Sequence, residues 1–197
     1  MVGAHVSLRL SYKAPQSIRR PFRAQWGGQT DSGGAFRFTG LPDGTYRICV
    51  QAPQTVWLDA CKLGLSVPSV VLTKATREQT IRISMVKGAE ISIRIDDPGM
   101  HLLQNEGKRP GAHLLVGAWS PVNTFREAIR VSQDASSKSL KVVIPFNRQS
   151  RMAIASSFFK LADSNGTPLS QSGIAVPVTV LAGQTPPTIR FSVTGVK

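Results

Sequence analysis

The chain is poor in the side chains that redox, metal and acid–base chemistry use. It has only 2 cysteines and 3 histidines, 7% aromatic residues, and 11 Asp+Glu against 24 Lys+Arg. Two cysteines, Cys49 and Cys61, are too few for a disulfide scaffold or a cysteine-only zinc site. His5, His101 and His113 lie far apart, none at the i, i+4 spacing that would put two on one helical face, so nothing in their pattern assembles a metal triad. No stretch of 18 apolar residues occurs, which excludes a membrane-spanning helix. A secretory leader is also missing from the start: Met1 runs straight into "VGAHVSLRL", which alternates like a strand.

What is abundant is turn chemistry and positive charge. Gly 17 and Pro 13 punctuate a chain that is 41% hydrophobic and 18% charged. That composition is globular, not disordered, and breakers every 8–12 residues are the mark of an all-β protein. The net charge of +13 raises nucleic acid, anionic glycans and membrane surfaces as partners. Its distribution argues for a solvated surface instead: residues 1–85 hold 11 Lys/Arg against 4 Asp/Glu, and residues 86–197 hold 13 against 7. Arg19, Arg20 and Arg23 form the one tight basic group, so nucleic-acid or anionic-glycan binding ranks last among the binding readings.

Val2, Ala4, Val6, Leu8 and Leu10 share one parity and His5, Ser7 and Arg9 the other, as in a half-buried strand. Residues 13–34 read as a long polar connection with one short strand at Phe22–Trp26. Phe36 and Phe38 begin a hairpin whose turn is "GLPDG" and whose return strand points Tyr46, Ile48 and Val50 inward. After a loop over 52–68 come strands at Val70–Leu72 and Ile81–Met85, the latter closing a first sandwich. Lys87-Gly88 is a joint. Ile91, Ile93 and Ile95 restart the alternation, and Leu114–Trp119, Phe125–Val131, Leu140–Ile144, Met152–Ser156, Val176–Leu181 and Ile189–Val193 follow. No segment keeps a 3.6-residue period long enough for a helix. The expectation is all-β, two antiparallel β-sandwich domains in series, over residues 1–86 and 87–197.

Apparent catalytic motifs read better as turns. Asp31-Ser32-Gly33 matches the Asp-Thr/Ser-Gly of aspartic proteases, but that chemistry needs two such carboxylates sharing a proton, and the tripeptide occurs once. No Gly-x-Ser-x-Gly elbow exists for a serine nucleophile. Asp163-Ser164-Asn165-Gly166 offers oxygens to calcium but lacks the later glutamate of an EF-hand loop, and Asp96-Asp97-Pro98-Gly99 is likewise a turn before it is a cation site. No catalytic residue, metal ligand or cofactor is assigned. Trp57, in a loop, and Trp26 are the aromatics able to stack on a ligand, with Arg19, Arg20 and Arg23 as charged neighbours; the plainer account has Trp57 plugging the core under its loop. Cys49 falls on the outward parity, opposite Tyr46 and Ile48, and so aims its thiol at the loop carrying Cys61. A bridge between them is expected, which requires an oxidising compartment.

The stretch "TDSGGAFRFTGLPDGTYRICVQAP" resembles the signature of carboxypeptidase regulatory-like domains, the transthyretin-like β-sandwiches of many exported bacterial proteins. Thr30, Asp31, Gly34, Phe36, Leu41, Pro42, Gly44 and Tyr46 fit the pattern, and Gly3–Leu8 is similar to the preceding strand. The resemblance covers residues 2–85 and implies a Greek-key sandwich in which Phe36 and Tyr46 are core and Asp31 makes a turn. It further implies a noncatalytic module of an exported or cell-surface protein that recognises a protein or polysaccharide, or else a spacer in a larger envelope protein. The pattern departs at the start: Met1 falls where the family has a turn after its first strand. Either an upstream leader and strand belong to the protein, or the sheet has an open edge at which another chain adds, giving an oligomer. The second half is similar to immunoglobulin-like sandwiches in general pattern only. An extracellular, periplasmic or cell-surface location follows from the resemblance and the expected disulfide together.

Overall fold

The computed structural model describes residues 1–11, 25–52, 56–63, 65–170 and 174–197. The protein is nearly all β, built from antiparallel sheets without a closed barrel, and divides into two compact units, Met1–Lys87 and Gly88–Lys197.

Among the described residues the first unit contains one hydrogen-bonded sheet. Its strands are β1 (His5–Ser11), β2 (Gln25–Gln29), β3 (Gly44–Gln51) and β4 (Ser69–Leu72), in the order β2-β1-β3-β4, all antiparallel. The alternation of β1 becomes burial: Val6 and Leu8 are inside while His5 and Arg9 face solvent. Leu8 lies opposite Ile48 on one side and Trp26 on the other, so three strands deliver apolar groups to the same face. Only the end of the expected Phe22–Trp26 strand is described, and there the strand runs on to Gln29.

Two expected strands are not strands. Residues 35–38 and 81–85 keep the alternation, with Phe36, Phe38, Ile81, Ile83 and Met85 half-buried and Arg37, Arg82 and Ser84 exposed, yet neither segment joins a ladder. Their inward side chains pack on the core of the sheet as a second layer. Alternation dictates which side chains face inward, but a ladder also needs a neighbouring strand within hydrogen-bonding distance, and among the described residues neither segment has one.

In the second unit one sheet has the order β12-β10-β6-β7 and the other β11-β13-β5-β9-β8. The strands are β5 (Ala89–Asp96), β6 (Leu115–Trp119), β7 (Phe125–Glu127), β8 (Ile129–Gln133), β9 (Ser137–Ile144), β10 (Ser150–Ala155), β11 (Phe159–Asp163), β12 (Ile174–Val178) and β13 (Thr188–Val196). The expected single strand Phe125–Val131 is divided at Ala128. β7 pairs with β6 in one sheet and β8 with β9 in the other, while the buried Ala128 sits at the corner with its N–H on the Val116 carbonyl at 2.8 Å. β5 and β13 pair parallel, the one such pair among the described residues, which joins the first and last strands of the unit. A short helix α1 (His101–Asn105) and strand β11 were not expected from the sequence. α1 is a single turn, too short to show a helical period, and it is nucleated by Asp97, whose carboxylate accepts the His101 and Leu102 N–H groups at 3.0 and 2.6 Å.

The two core clusters differ in burial. In the second unit 20 buried apolar residues form one cluster with 5 half-buried ones around it. In the first unit the corresponding cluster has, among the described residues, 4 buried residues, Val6, Leu8, Tyr46 and Ile48, surrounded by 10 half-buried ones.

Candidate functional site

The first unit has a groove of about 830 Å³. Its floor is the inner face of the sheet, with Leu8, Tyr46 and Ile48 at the bottom and the half-buried Val70 and Leu72 of β4 beside them. One wall is the segment 36–40, which bends at Gly40, and the other the stretch 77–81, which runs on into the alternating residues 81–85. Phe36 and Phe38, their rings 6.0 Å apart, and Ile81 supply the apolar lining of the walls. Among the described residues no backbone hydrogen bond joins residues 36–40 or 78–85 to any other segment. Among the described residues the peptide N–H and C=O groups of both walls thus have no backbone partner, and they lie beside an apolar floor.

Local chemistry holds the groove in shape. Asp31 Oδ1 accepts the Gly33 and Ala35 N–H groups, both at 2.9 Å, and this turn launches the 36–40 wall. Gly34 within it has φ 81°, the left-handed region that glycine occupies without strain, and its α-carbon faces the Met1 backbone too closely to admit a side chain. Tyr46 donates its hydroxyl to the Pro42 carbonyl at 2.6 Å, tying the "GLPDG" turn to the floor. Burial first, then the Asp43 carboxylate, pushes the Tyr46 phenol above its ordinary pKa. The rim is basic: Arg37, Lys74 and Arg77 stand against Asp43 and Glu78, and none of the five is in an ion pair among the described residues.

The residues singled out in the sequence lie elsewhere. Cys49 and Cys61 form a disulfide with a Cα–Cα distance of 5.6 Å, pinning the 56–63 loop to β3. Trp57, half-buried in that loop, has the Lys87 ammonium 5.3 Å from its ring centroid. Trp26 packs edge-on to Tyr46 at 5.6 Å and belongs to the core cluster. Neither tryptophan lines the groove. Arg19, Arg20 and Arg23 lie outside the described residues. The groove residues Phe36, Phe38 and Ile81 carried a sequence signal, their alternation, but it read as ordinary paired strand.

The carboxylates named as alternative cation sites have other partners: Asp96 pairs with Arg94 and Arg190, and Asp97 and Asp163 accept backbone N–H groups. Asp163 Oδ1 accepts the Asn165 and Thr167 N–H groups at 2.8 and 2.9 Å, repeating the Asp31 turn in the second unit. Among the described residues no group of three or more His, Cys, Asp and Glu side chains is arranged to hold a metal ion, and no helix is long and apolar enough to cross a membrane.

No family model matches the chain, and no curated protein matches it in sequence.

Proposed function

We propose that the chain is a non-catalytic accessory module of an exported or envelope-associated protein, and that it works by recognising a protein or polysaccharide partner through its first unit. The observation that carries this reading is the groove: a concave apolar floor with polar backbone along both walls is how binding sites are built. The Cys49–Cys61 bridge supports an oxidising location, outside the cytosol. The "TDSGGAFRFTGLPDGTYRICVQAP" stretch supports membership of the carboxypeptidase regulatory-like modules, with Asp31 as turn former and Phe36 and Tyr46 as core. The second unit, whose core cluster is mostly buried, fits a spacer that carries the first.

The test is a panel of polysaccharides and envelope proteins offered to the purified chain, alongside peptide, ester and glycoside substrates. Recognition predicts saturable binding to a panel member that Phe38→Asp abolishes while the disulfide and the unfolding transition persist. Turnover of any substrate, or binding indifferent to Phe38→Asp, overturns the reading. In protein exported by its native host both thiols should resist labelling, and two reactive thiols would remove the argument for location.

A further inference from the structure

We propose that the groove is a strand-acceptor site, in which an extended segment of a different polypeptide lies along the 36–40 and 78–85 walls and completes the second layer of the first unit. The proposal deepens the recognition reading above and rests on it. Three independent features of the groove point to a strand as occupant, and the charge of the chain points to its source.

First, the walls are strands in all but pairing. Residues 36–39 and 81–85 alternate inward apolar and outward polar side chains, and among the described residues the peptide groups of both walls have no backbone partner. An unpaired row of peptide groups is a template for another strand, whose backbone satisfies it. Residues 36–39, before the chain bends at Gly40 (φ 67°), provide at about 3.3 Å each a rail of ~13 Å, within the range of natural strands. Second, the groove is apolar where a strand would place alternate side chains. Phe36, Phe38, Val70, Leu72 and Ile81 are half-buried, and an incoming strand with apolar residues at every second position would cover them. Third, among the described residues the core cluster of this unit has 4 buried and 10 half-buried apolar residues, against 20 and 5 in the other unit, and many of the half-buried ones line the groove.

The source follows from charge. Arg37, Lys74 and Arg77 outnumber Asp43 and Glu78 on the rim, and the chain carries a net charge of +13. A second copy would bring further positive charge to a positive rim. A segment with acidic flanks on a different polypeptide meets that rim favourably, and such complementarity sets both encounter rate and choice of partner.

The probe is a synthetic peptide of about eight residues, alternating Val and Thr and flanked by Asp at both ends, a length within the range of natural strands. Its controls carry Lys flanks, or Pro at the centre. Binding is read by fluorescence anisotropy and the backbone by amide hydrogen exchange. The Asp-flanked peptide should bind, and amides within 36–40 and 78–85 should gain protection when it does. The central Pro should abolish binding, because it removes a donor and breaks the extended register. Arg37 and Arg77 are exposed, so the Arg37→Glu/Arg77→Glu variant is expected to fold. It should weaken the Asp-flanked peptide by about tenfold and reverse the preference towards Lys flanks.

Binding without amide protection would make the groove a side-chain pocket and overturn the proposal. So would equal binding of the Pro peptide, or a concentration-dependent dimer of this chain that the Asp-flanked peptide fails to displace, which would make a second copy the occupant. Should no peptide bind while a polysaccharide or protein on the panel does so in a Phe38-dependent way, strand acceptance falls and recognition stands. Should neither bind, both fall.

Discussion

At the scale of single residues, small polar groups do local work that resembles chemistry only when read as motifs. Asp31 and Asp163 each sit at the head of an Asp-Ser-x-Gly turn. Each accepts two backbone N–H groups with one carboxylate oxygen, and each turn ends on a glycine at positive φ, 81° at Gly34 and 82° at Gly166. An aspartate so engaged organises a turn, which is why one side-chain pattern recurs in two separate units. Tyr46 couples such a turn to the core. Its phenol ionises above the ordinary value because burial disfavours the phenolate and Asp43 repels it. An unfolded tyrosine ionises near pH ~10. The folded form holds its proton to higher pH, so this contribution to stability is intact below that value and declines as pH rises through the folded pKa. Denaturation followed across alkaline pH, with phenolate absorbance as a second readout, should show this decline. Tyr46→Phe should remove it and cost about 1 kcal/mol at neutral pH for the hydrogen bond to Pro42.

At the scale of elements, pairing decides what alternation cannot. The run from Phe125 to Val131 carries no Gly or Pro breaker, yet it serves two sheets because Ala128 turns a corner between them. Small residues make that corner and the strand beside it. Gly117 of β6 faces β7 so closely that a β-carbon there would fall on the Arg126 carbonyl and the Phe125 ring. Gly117→Ala is therefore expected to separate β7 from β6 and cost roughly 1–3 kcal/mol through overpacking. Amide exchange over 115–127 would report it, with the fluorescence of Trp119, whose ring lies 5.1 Å from that of Phe125. Unchanged exchange in that hairpin would contradict the steric account. The walls of the groove show the same principle: Phe36 and Phe38, like Ile81 and Ile83, announce an inward face, yet among the described residues neither segment pairs into a sheet.

At the scale of the whole molecule, one covalent link and two unequal cores set the behaviour. The Cys49–Cys61 bridge spans a sequence separation of 12, and closing a loop of that size stabilises by about 3 kcal/mol on chain-entropy grounds. Reduction, or Cys49→Ala with Cys61→Ala, should lower the unfolding midpoint reported by Trp26 and Trp57 and leave the one reported by Trp119 in place. A shift of equal size in both would contradict the division into units. The sequence by itself determined the class of fold, the joint near Lys87-Gly88, the inward parity of most strands, the turn role of Asp31 and the cysteine pair, because each depends on local periodicity or on residues near one another along the chain. Tertiary structure alone decided which extended segments pair and which stand free, the parallel contact of β5 with β13, the corner at Ala128 and the groove, because each depends on the spacing of segments far apart in sequence. The candidate site belongs to that second group. Its apolar residues Leu8, Phe36, Phe38, Tyr46, Ile48, Val70, Leu72 and Ile81 were visible as alternating strand, but that the backbone of the walls has no partner among the described residues depends on segments distant in sequence.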